Sequence, residues 1–561
     1  MTSYKQLFEK AKSLHLQGDI QGASSLYIQI VNGDPKMASA WHAMGVLSLQ
    51  IGRFDLAEQY ISEALKYKKR EASYYYNLGV AQTNLNKLSE AKQSLEKALK
   101  LKSNYPDAIG GLGLVHQKTE QYDEAISCYR RALRINPKHI SSLNNLGNVL
   151  HITNQFDEAV KTYRTILQVD PANISLYVNM AIILKDADQL DEACDYANRA
   201  IEKGATGKLL ATAYNTLGLI CNTRLMLSDA FSYFDKALKI VPDFIEAHIN
   251  KSFAKFCAGE IDEAWREYFW HYKPVKMRNI FERFPQPLWQ GEHLANKSIV
   301  IWAEQGLGDE IMFASMFNDV VNQAKQCLVE CDARLMSLFS RSFPGVKFVK
   351  RNLPNSAELF EQTFDYHSPA ANLGMYLRNE ITKFPDKTGY LVADPGRVSD
   401  WHAKLSAISD RPKVGICWRS MLSTTARSKH YSTLLEWADV LHDDQFDFIN
   451  LQYDNCEQEL KELKDKAGIT VHDMGIDLLN DLDEAAALTS ALDMVISAGT
   501  SVASMAGALG KKTYLLLPDA YNWTMLGSEY MPWYKNTTVF IKQPDEKWQD
   551  VLQRISATIN N

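Results

Sequence analysis

The sequence predicts a multidomain chain: an all-α repeat superhelix followed by an α/β half made of two lobes. Three observations lead there. Small residues recur at a fixed interval through the first half. The period stops at Lys273, where a proline-bearing stretch, KPVKMRNIFERFPQPLWQGEHLANK, breaks it. Beyond that, apolar runs alternate with amphipathic stretches. At 561 residues the chain is also too long for one core.

The first half is justified by its spacing. Ala23, Ala57, Ala91, Ala125, Ala159 and Ala193 stand 34 residues apart. Twelve residues before each is another small residue: Ala11, Gly45, Gly79, Gly113, Gly147 and Ala181. Large residues follow at Tyr27, Ile61, Leu95, Tyr129 and Tyr163, and prolines at 35, 137, 171 and 242 close several units. After a three-residue slip at EKGATGK the pattern resumes with Gly218, Ala230 and Phe234, then a worn unit with Ser252 and Ala264. Two antiparallel helices pack closely only where both present a small side chain at the crossing. A large residue then fills the adjacent hole, and proline stops the second helix. This resembles the tetratricopeptide repeat over about residues 4–272, so 1–272 is expected to be the array.

Asn77, Asn145, Asn179 and Asn250 occupy one position in their units. A row of amides on one groove can hydrogen-bond an extended peptide backbone whatever its side chains. The bland reading is solvated asparagine. These units also resemble the repeats of O-GlcNAc transferases, whose groove carries a similar row.

Residues 273–297 read as a linker that packs on the lobe after it. Strand candidates come next: SIVIWA, CLVECD, VKFVK, KVGICW, DFINLQY, DMVISA and KTYLLLP. Helical stretches such as LLEWADVLHDD and LDEAAALTSAL lie between them, which implies parallel sheets with crossover helices. A quieter stretch, 395–411, separates a first lobe at 298–394 from a second at 412–561, closed by the amphipathic segment DEKWQDVLQRISATIN. Ligands of such sheets bind at the carboxyl ends of the strands.

Three strand ends carry candidate chemistry. In WAEQGLGDE, Gly306 and Gly308 permit a tight turn and close backbone approach, and Asp309 sits at a helix start. Helix capping alone accounts for an aspartate there. In SAGTSVASMAGALG, the N–H groups around Gly499, Thr500, Ser501 and Val502 suit a phosphate, while a tightly packed helix covers the same residues. In CWRSMLSTTARSKH, Arg419 ends a strand and Arg427, Lys429 and His430 follow in a polar loop, cations fit for a phosphate leaving group. Asp481-x-Asp483 has a metal-transferase spacing but precedes a helix, so capping is its expected role and no metal is required.

The segments LWQGEHL, SIVIWAEQGLGDEIMFASMF, FPGVKFV, FDYHSPAANLG, VGICWRS, VISAGTSVASMAGALGKKTYLLLP and MPWYKNTTVF resemble tetratricopeptide-fused glycosyltransferases. Their catalytic half is similar to the bacterial heptosyltransferases, with the two-Rossmann-lobe (GT-B) fold. The segments INLQYD and NWTMLG place the resemblance near the branch that glycosylates flagellin. It implies repeats that dock flagellin and lobes that transfer a nucleotide-activated sugar. The donor favoured is a CMP-nonulosonate, with UDP- or ADP-sugars open. Asp309 matches the family's base, with Glu304 or Glu310 as substitutes. Gly306, Gly308, Arg419, Arg427, Gly499, Thr500, Ser501 and Val502 would hold the donor and its phosphate. The sequence departs from the heptosyltransferases at Gly499 and Ser504, where nearer relatives have aspartate and histidine. Two rival readings stay open: a non-catalytic scaffold or chaperone, and an enzyme acting on a lipid or glycan acceptor.

A net charge of −6 gives no basic footprint for nucleic acid. No run approaches a membrane span, and the N-terminus is an amphipathic helix rather than a signal sequence. Eight scattered cysteines read as reduced thiols, which makes the cytoplasm the expected compartment.

Overall fold

The computed structural model describes residues 3–274, 280–303, 306–351, 363–421, 431–519, 522–543 and 546–560. The chain divides into two compact units, Met1–Tyr196 and Ala197–Asn561. The division falls inside the repeats, within the helix Leu190–Glu202.

Sixteen α-helices run from Tyr4–Leu16 to Ile261–Tyr268 among the described residues, and the chain here is a tetratricopeptide array. The periodic alanines are fully buried. The periodic glycines are the holes that the large residues fill. A methyl on Gly79 would stand 2.7 Å from Leu95, one on Gly113 2.7 Å from Tyr129, and one on Gly218 2.6 Å from Phe234. Any side chain at these glycines overpacks the crossing.

The turns between paired helices repeat as strictly. Gly18, Gly52, Asn86, Glu120, Asn154, Asp188, Leu225 and Gly259 all have positive φ, 34 residues apart except for 37 across the slip. Each is followed by an N–H that reaches back to a carbonyl five residues earlier, as Lys87 to Gln82 (2.9 Å) and Met226 to Cys221 (2.9 Å). This is the Schellman ending, in which a left-handed residue lets the chain satisfy the last carbonyls.

In the second unit the helices Ile245–Cys257 and Ile261–Tyr268 join the α/β core. Trp265 is buried and donates its indole N–H to Arg378 O (3.0 Å). The described part of the 273–297 linker lies on the first sheet. Phe284 stacks on Trp302 at 5.7 Å and on His367 at 4.9 Å, and Arg283 pairs with the fully buried Glu330 (Nη1 to Oε1 3.0 Å). Burial, then the Arg283 charge, lowers the His367 pKa to about 4.

Two sheets follow, both wholly parallel. The first has the order β3-β2-β1-β4, with β1 Ser298–Trp302, β2 Gln326–Cys331, β3 Lys347–Lys350 and β4 Tyr366–Pro369. Register pairs Val300 with Leu328 and Ile301 with Ser368. The second has the order β6-β5-β7-β8-β9: β5 Lys413–Cys417, β6 Asp447–Asn450, β7 Met494–Ala498, β8 Lys512–Leu517 and β9 Thr537–Ile541. Near-continuous burial along β1, β5, β7 and β8 marks strands covered on both faces.

All seven expected strands form. β4 and β9 were not expected as strands, because YHSP carries a proline and the TTVFI edge strand is half exposed. The stretch 395–411, read as a linker between lobes, instead holds the helix Pro395–Ser406. Asp394 caps it through the Arg397 N–H, and Trp401 anchors it by donating to Glu484 (2.9 Å). The closing segment forms the helix Trp548–Ile559, with Val551, Leu552 and Ile555 buried. Among the described residues no helix is long and apolar enough to cross a membrane.

Candidate functional site

The chain turns at the carboxyl ends of β1 and β7 bring two helix starts together. After β1, Gly306 is the N-cap of the helix Leu307–Ala314, so Asp309 lies in its first turn rather than at the cap. Its carboxylate reaches back to the Gly306 N–H, as the third residue of a capping box does. After β7, Thr500 caps the helix Ser501–Ala508 by accepting from the Val502 N–H (3.2 Å). The Thr500 hydroxyl is itself placed by Ser497 (3.4 Å) and Cys417 (3.6 Å).

The two helices touch at Gly308. A methyl there would be 3.5 Å from Ser504 Oγ and 3.6 Å from Ser501 Cα, ordinary contact distances. The approach of the two helices at this point therefore does not require glycine.

Beside this contact lies a cavity of about 540 Å³, lined by both sheets' carboxyl ends. That size suits a small-molecule ligand. Asp309, Gly308, Gly499, Thr500, Ser501 and Val502 all line it. Leu451, Leu478, Leu482, Leu515, Leu517 and Met531 supply apolar walls. Burial raises the Asp309 pKa above the usual aspartate value, and the Gly306 N–H opposes this only in part. A desolvated carboxylate with one lobe free to accept is a competent proton acceptor.

Residues 9–216 match the family of the C-terminal domain of cilia and flagella-associated protein 70. Protein FlbA of Caulobacter vibrioides is 31% identical over 405 residues, which cover 63% of this chain and 67% of that protein. The chain belongs to the FlbA family. Solved structures similar to parts of this FlbA-family chain include the following three. MamA is 26% identical over 28% of this chain and 92% of its own, with a TM-score of 0.26. YrrB, described as a TPR protein with an unusual peptide-binding site, is 25% identical over 33% and 95%, with a TM-score of 0.30. A tetratricopeptide repeat protein from Parabacteroides merdae is 16% identical over 45% and 98%, with a TM-score of 0.36.

Other expected site residues of the FlbA-family chain sit elsewhere. Arg419 does not line the cavity; Ser420 and Met421 do. Its guanidinium is held by Asp454 and by Glu459 (Nη2 to Oε2 2.5 Å), which raises its pKa further. A strand-end arginine looks like an anion ligand in sequence, but two carboxylates on the neighbouring segment already claim it. Glu310 also faces away from the cavity. It is buried, ion-pairs with Arg351 (2.9 Å) and accepts the Asp332 N–H (2.9 Å). Burial pushes its pKa up to about 7 against the pull of Arg351. Gly306 forms the cap but not the cavity wall. Glu304, Arg427, Lys429 and His430 lie outside the described residues. Asp481 caps its helix through the Glu484 N–H (3.0 Å), as its spacing suggested, and Asp483 pairs with Arg341.

The asparagine row is half-buried and engaged. Asn77 Nδ2 bonds His42 Nε2 (2.8 Å), and Asn250 Nδ2 donates to Asn215 Oδ1 (3.0 Å). Asn145 and Asn179 bond the Tyr129 and Tyr163 hydroxyls. The period of 34 thus carries side-chain bonding between helices as well as packing.

Sequence reasoning gave no role to several cavity residues, among them Arg334, Ser420, Tyr534 and Thr537. Arg334 is bidentate to Asp332 (2.9 and 2.8 Å) and donates to Leu479 O (2.9 Å), tying the first lobe to the second. Tyr534 and Thr537 fall in MPWYKNTTVF, a segment quoted for its resemblance but given no role. Nothing in its pattern shows which hydroxyls face inward.

Proposed function

We propose that the chain is a metal-independent protein glycosyltransferase of the two-lobe GT-B type, moving a sugar from a nucleotide-activated donor to a serine or threonine hydroxyl of a protein acceptor. One observation carries the reading: a half-buried carboxylate with a raised pKa, Asp309, shares a cavity with the Thr500-capped helix start, at the carboxyl ends of two parallel sheets. The acceptor hydroxyl gives its proton to Asp309 as its oxygen attacks the anomeric carbon. The anomeric C–O bond breaks, and its electron pair leaves on the phosphate oxygen, stabilised by the Ser501 N–H at the helix start. The repeats dock the protein acceptor. The FlbA name is consistent with a flagellar setting, which supports flagellin as that acceptor, and the sequence resemblance favours a CMP-nonulosonate donor.

Purified chain incubated with CMP-nonulosonate and flagellin is expected to add sugar mass to flagellin. Asp309→Asn removes the base with little change of shape, and turnover should fall about 10²- to 10⁴-fold. Full turnover in that variant would remove Asp309 from the mechanism. Because only the carboxylate accepts the proton, rate is lost as pH falls through the Asp309 pKa. Its acid limb should therefore lie above the ordinary aspartate value of about 3.9.

The engagement of Arg419 by Asp454 and Glu459 favours a second reading, a scaffold that keeps the fold without turnover. It predicts flagellin binding with no mass change under any donor.

A further inference from the structure

In the first unit, the carboxyl ends of the second helix of each repeat form a rim with charge of one sign. The helices Phe54–Tyr67, Leu88–Leu101 and Tyr122–Ile135 each end in a cation followed by an apolar residue: Lys66–Tyr67, Lys100–Leu101 and Arg134–Ile135. The helix Phe156–Val169 continues the apolar row at Val169. These four apolar side chains stand 34 residues apart and are 39% to 45% exposed. A single exposed apolar residue is ordinary, but four in register make a row.

The loops after these helices add Lys69, Arg70, Lys102 and Lys138, all exposed. The acids of the same rim are already spent. Glu71 pairs with Lys68 (2.6 Å), Asp107 with His139 (3.2 Å), and Glu63 with Lys66. Among the described residues Lys69, Arg70, Lys100, Lys102, Arg134 and Lys138 pair with no carboxylate. The chain's net charge of −6 hides this local excess. Successive ends also touch: Arg131 Nη2 donates to Ser103 O (3.2 Å), joining one unit's loop to the next unit's helix end.

A basic last turn complements the helix dipole, which accounts for Lys66, Lys100 and Arg134. The dipole accounts neither for the loop cations nor for the apolar side chain beside each basic turn. A stripe that tracks nucleic-acid phosphates would not set apolar surface between its charges. Each apolar side chain is also more than half covered, too shallow to enter a bilayer. Both features suit a protein chain that mixes carboxylates with apolar side chains. We propose that this rim is a second docking surface of the array, separate from the asparagine row, and that it binds an acidic segment of a partner protein carrying apolar residues among its carboxylates. The charges steer the segment in, and the apolar row fixes where it rests. The assignment stands whether or not the α/β half transfers a sugar.

The test uses the full chain and two fluorescein-labelled peptides of equal length, one repeating Glu-Glu-Leu and one of glutamate alone. The wild type should bind the leucine-bearing peptide about tenfold more tightly. Its affinity should fall as salt rises, because exposed charges are screened. Lys100→Glu, Arg134→Glu and Lys138→Glu together should weaken both peptides by about tenfold or more. Lys100→Gln, Arg134→Gln and Lys138→Gln repeat the test without adding like-charge repulsion. Leu101→Ser with Ile135→Ser should erase the difference between the peptides. Glu124→Lys, at the opposite end of the helix Tyr122–Ile135, should change neither affinity. No peptide binding by the wild type, equal affinity for both peptides, or no loss in the three-site variants overturns the proposal. So does binding of phosphatidylglycerol vesicles or duplex DNA in place of the peptides, or a self-assembly of the chain that the three-site variants abolish.

Discussion

The repeats and the cleft treat polar groups in opposite ways. In the repeats, the asparagines that sequence periodicity singles out are each bonded to a side chain of another helix, as Asn77 is to His42. In the cleft, Asp309 is desolvated and lines a cavity, with only the Gly306 N–H to offset its burial. The glycines differ in the same sense. Gly113 is filled by Tyr129, whereas Gly308 faces its neighbours at ordinary contact distance beside a cavity. A scaffold spends its hydrogen bonds internally, and a binding site holds some in reserve at a cost in stability.

The glycines give the sharpest way to break that contrast. Gly113→Val puts a branched side chain 2.7 Å from a fully buried tyrosine ring that has nowhere to go. It should destabilise by about 3 kcal/mol in urea unfolding. Gly308→Ala meets nothing closer than 3.5 Å and should change stability by less than about 0.5 kcal/mol. Equal losses at both would dissolve the distinction between filled and open glycines.

Glu310 tests whether burial without catalysis leaves a signature. Its folded pKa, about 7, lies above its ordinary 4.5, so the unfolded chain releases this proton first. Its contribution is neutral below pH 4.5 and turns increasingly unfavourable as pH rises to about 7, by up to about 3 kcal/mol with the Arg351 pairing already included. Glu310→Gln should flatten the stability profile across that window and leave the rate profile's acid limb in place. A shift of that limb would make Glu310 part of the proton chemistry.

Much of the scaffold was legible in the sequence, and for one physical reason. A repeat writes each packing rule six or more times, so Gly79 and Leu95 announce themselves by recurrence. Parallel strands buried on both faces write continuous apolar runs, which is why β1, β5 and β7 stood out and the proline-bearing β4 did not. The cleft was half legible. Asp309 and Thr500 follow strand ends, where ligands of such sheets bind, and the structure does bring them to one cavity. Arg419 was misleading because a charge in sequence carries no sign of its partner, and Asp454 and Glu459 lie 35 and 40 residues away. Tyr534 was silent because which side chains turn inward to line a cavity is a property of packing alone.

The amide row can be tested as scaffold. His42 is stacked on Tyr74 at 4.1 Å, and burial lowers its pKa to about 4, so the ring is neutral at pH 7 and its nitrogen needs a partner. Asn77→Ala removes that partner and should cost about 1–2 kcal/mol in urea unfolding. Stability unchanged within error would mean the amide is dispensable to the fold and free for a bound peptide.

The smallest expected effect concerns the turns. Eight positions adopt positive φ at the repeat interval, and six of them are Gly, Asn or Asp. Leu225 (φ 57°) is one of the two exceptions, and its side chain is 48% exposed. A side chain in the left-handed region costs about 1–2 kcal/mol, while glycine there gives back about 0.5–1 kcal/mol through the freedom of the unfolded chain. Leu225→Gly should therefore raise stability by about 0.5–1 kcal/mol, seen as a higher urea midpoint at constant slope. A lower midpoint would mean that the exposed leucine holds a contact worth more than the strain it imposes, placing this turn with the cleft rather than with the scaffold.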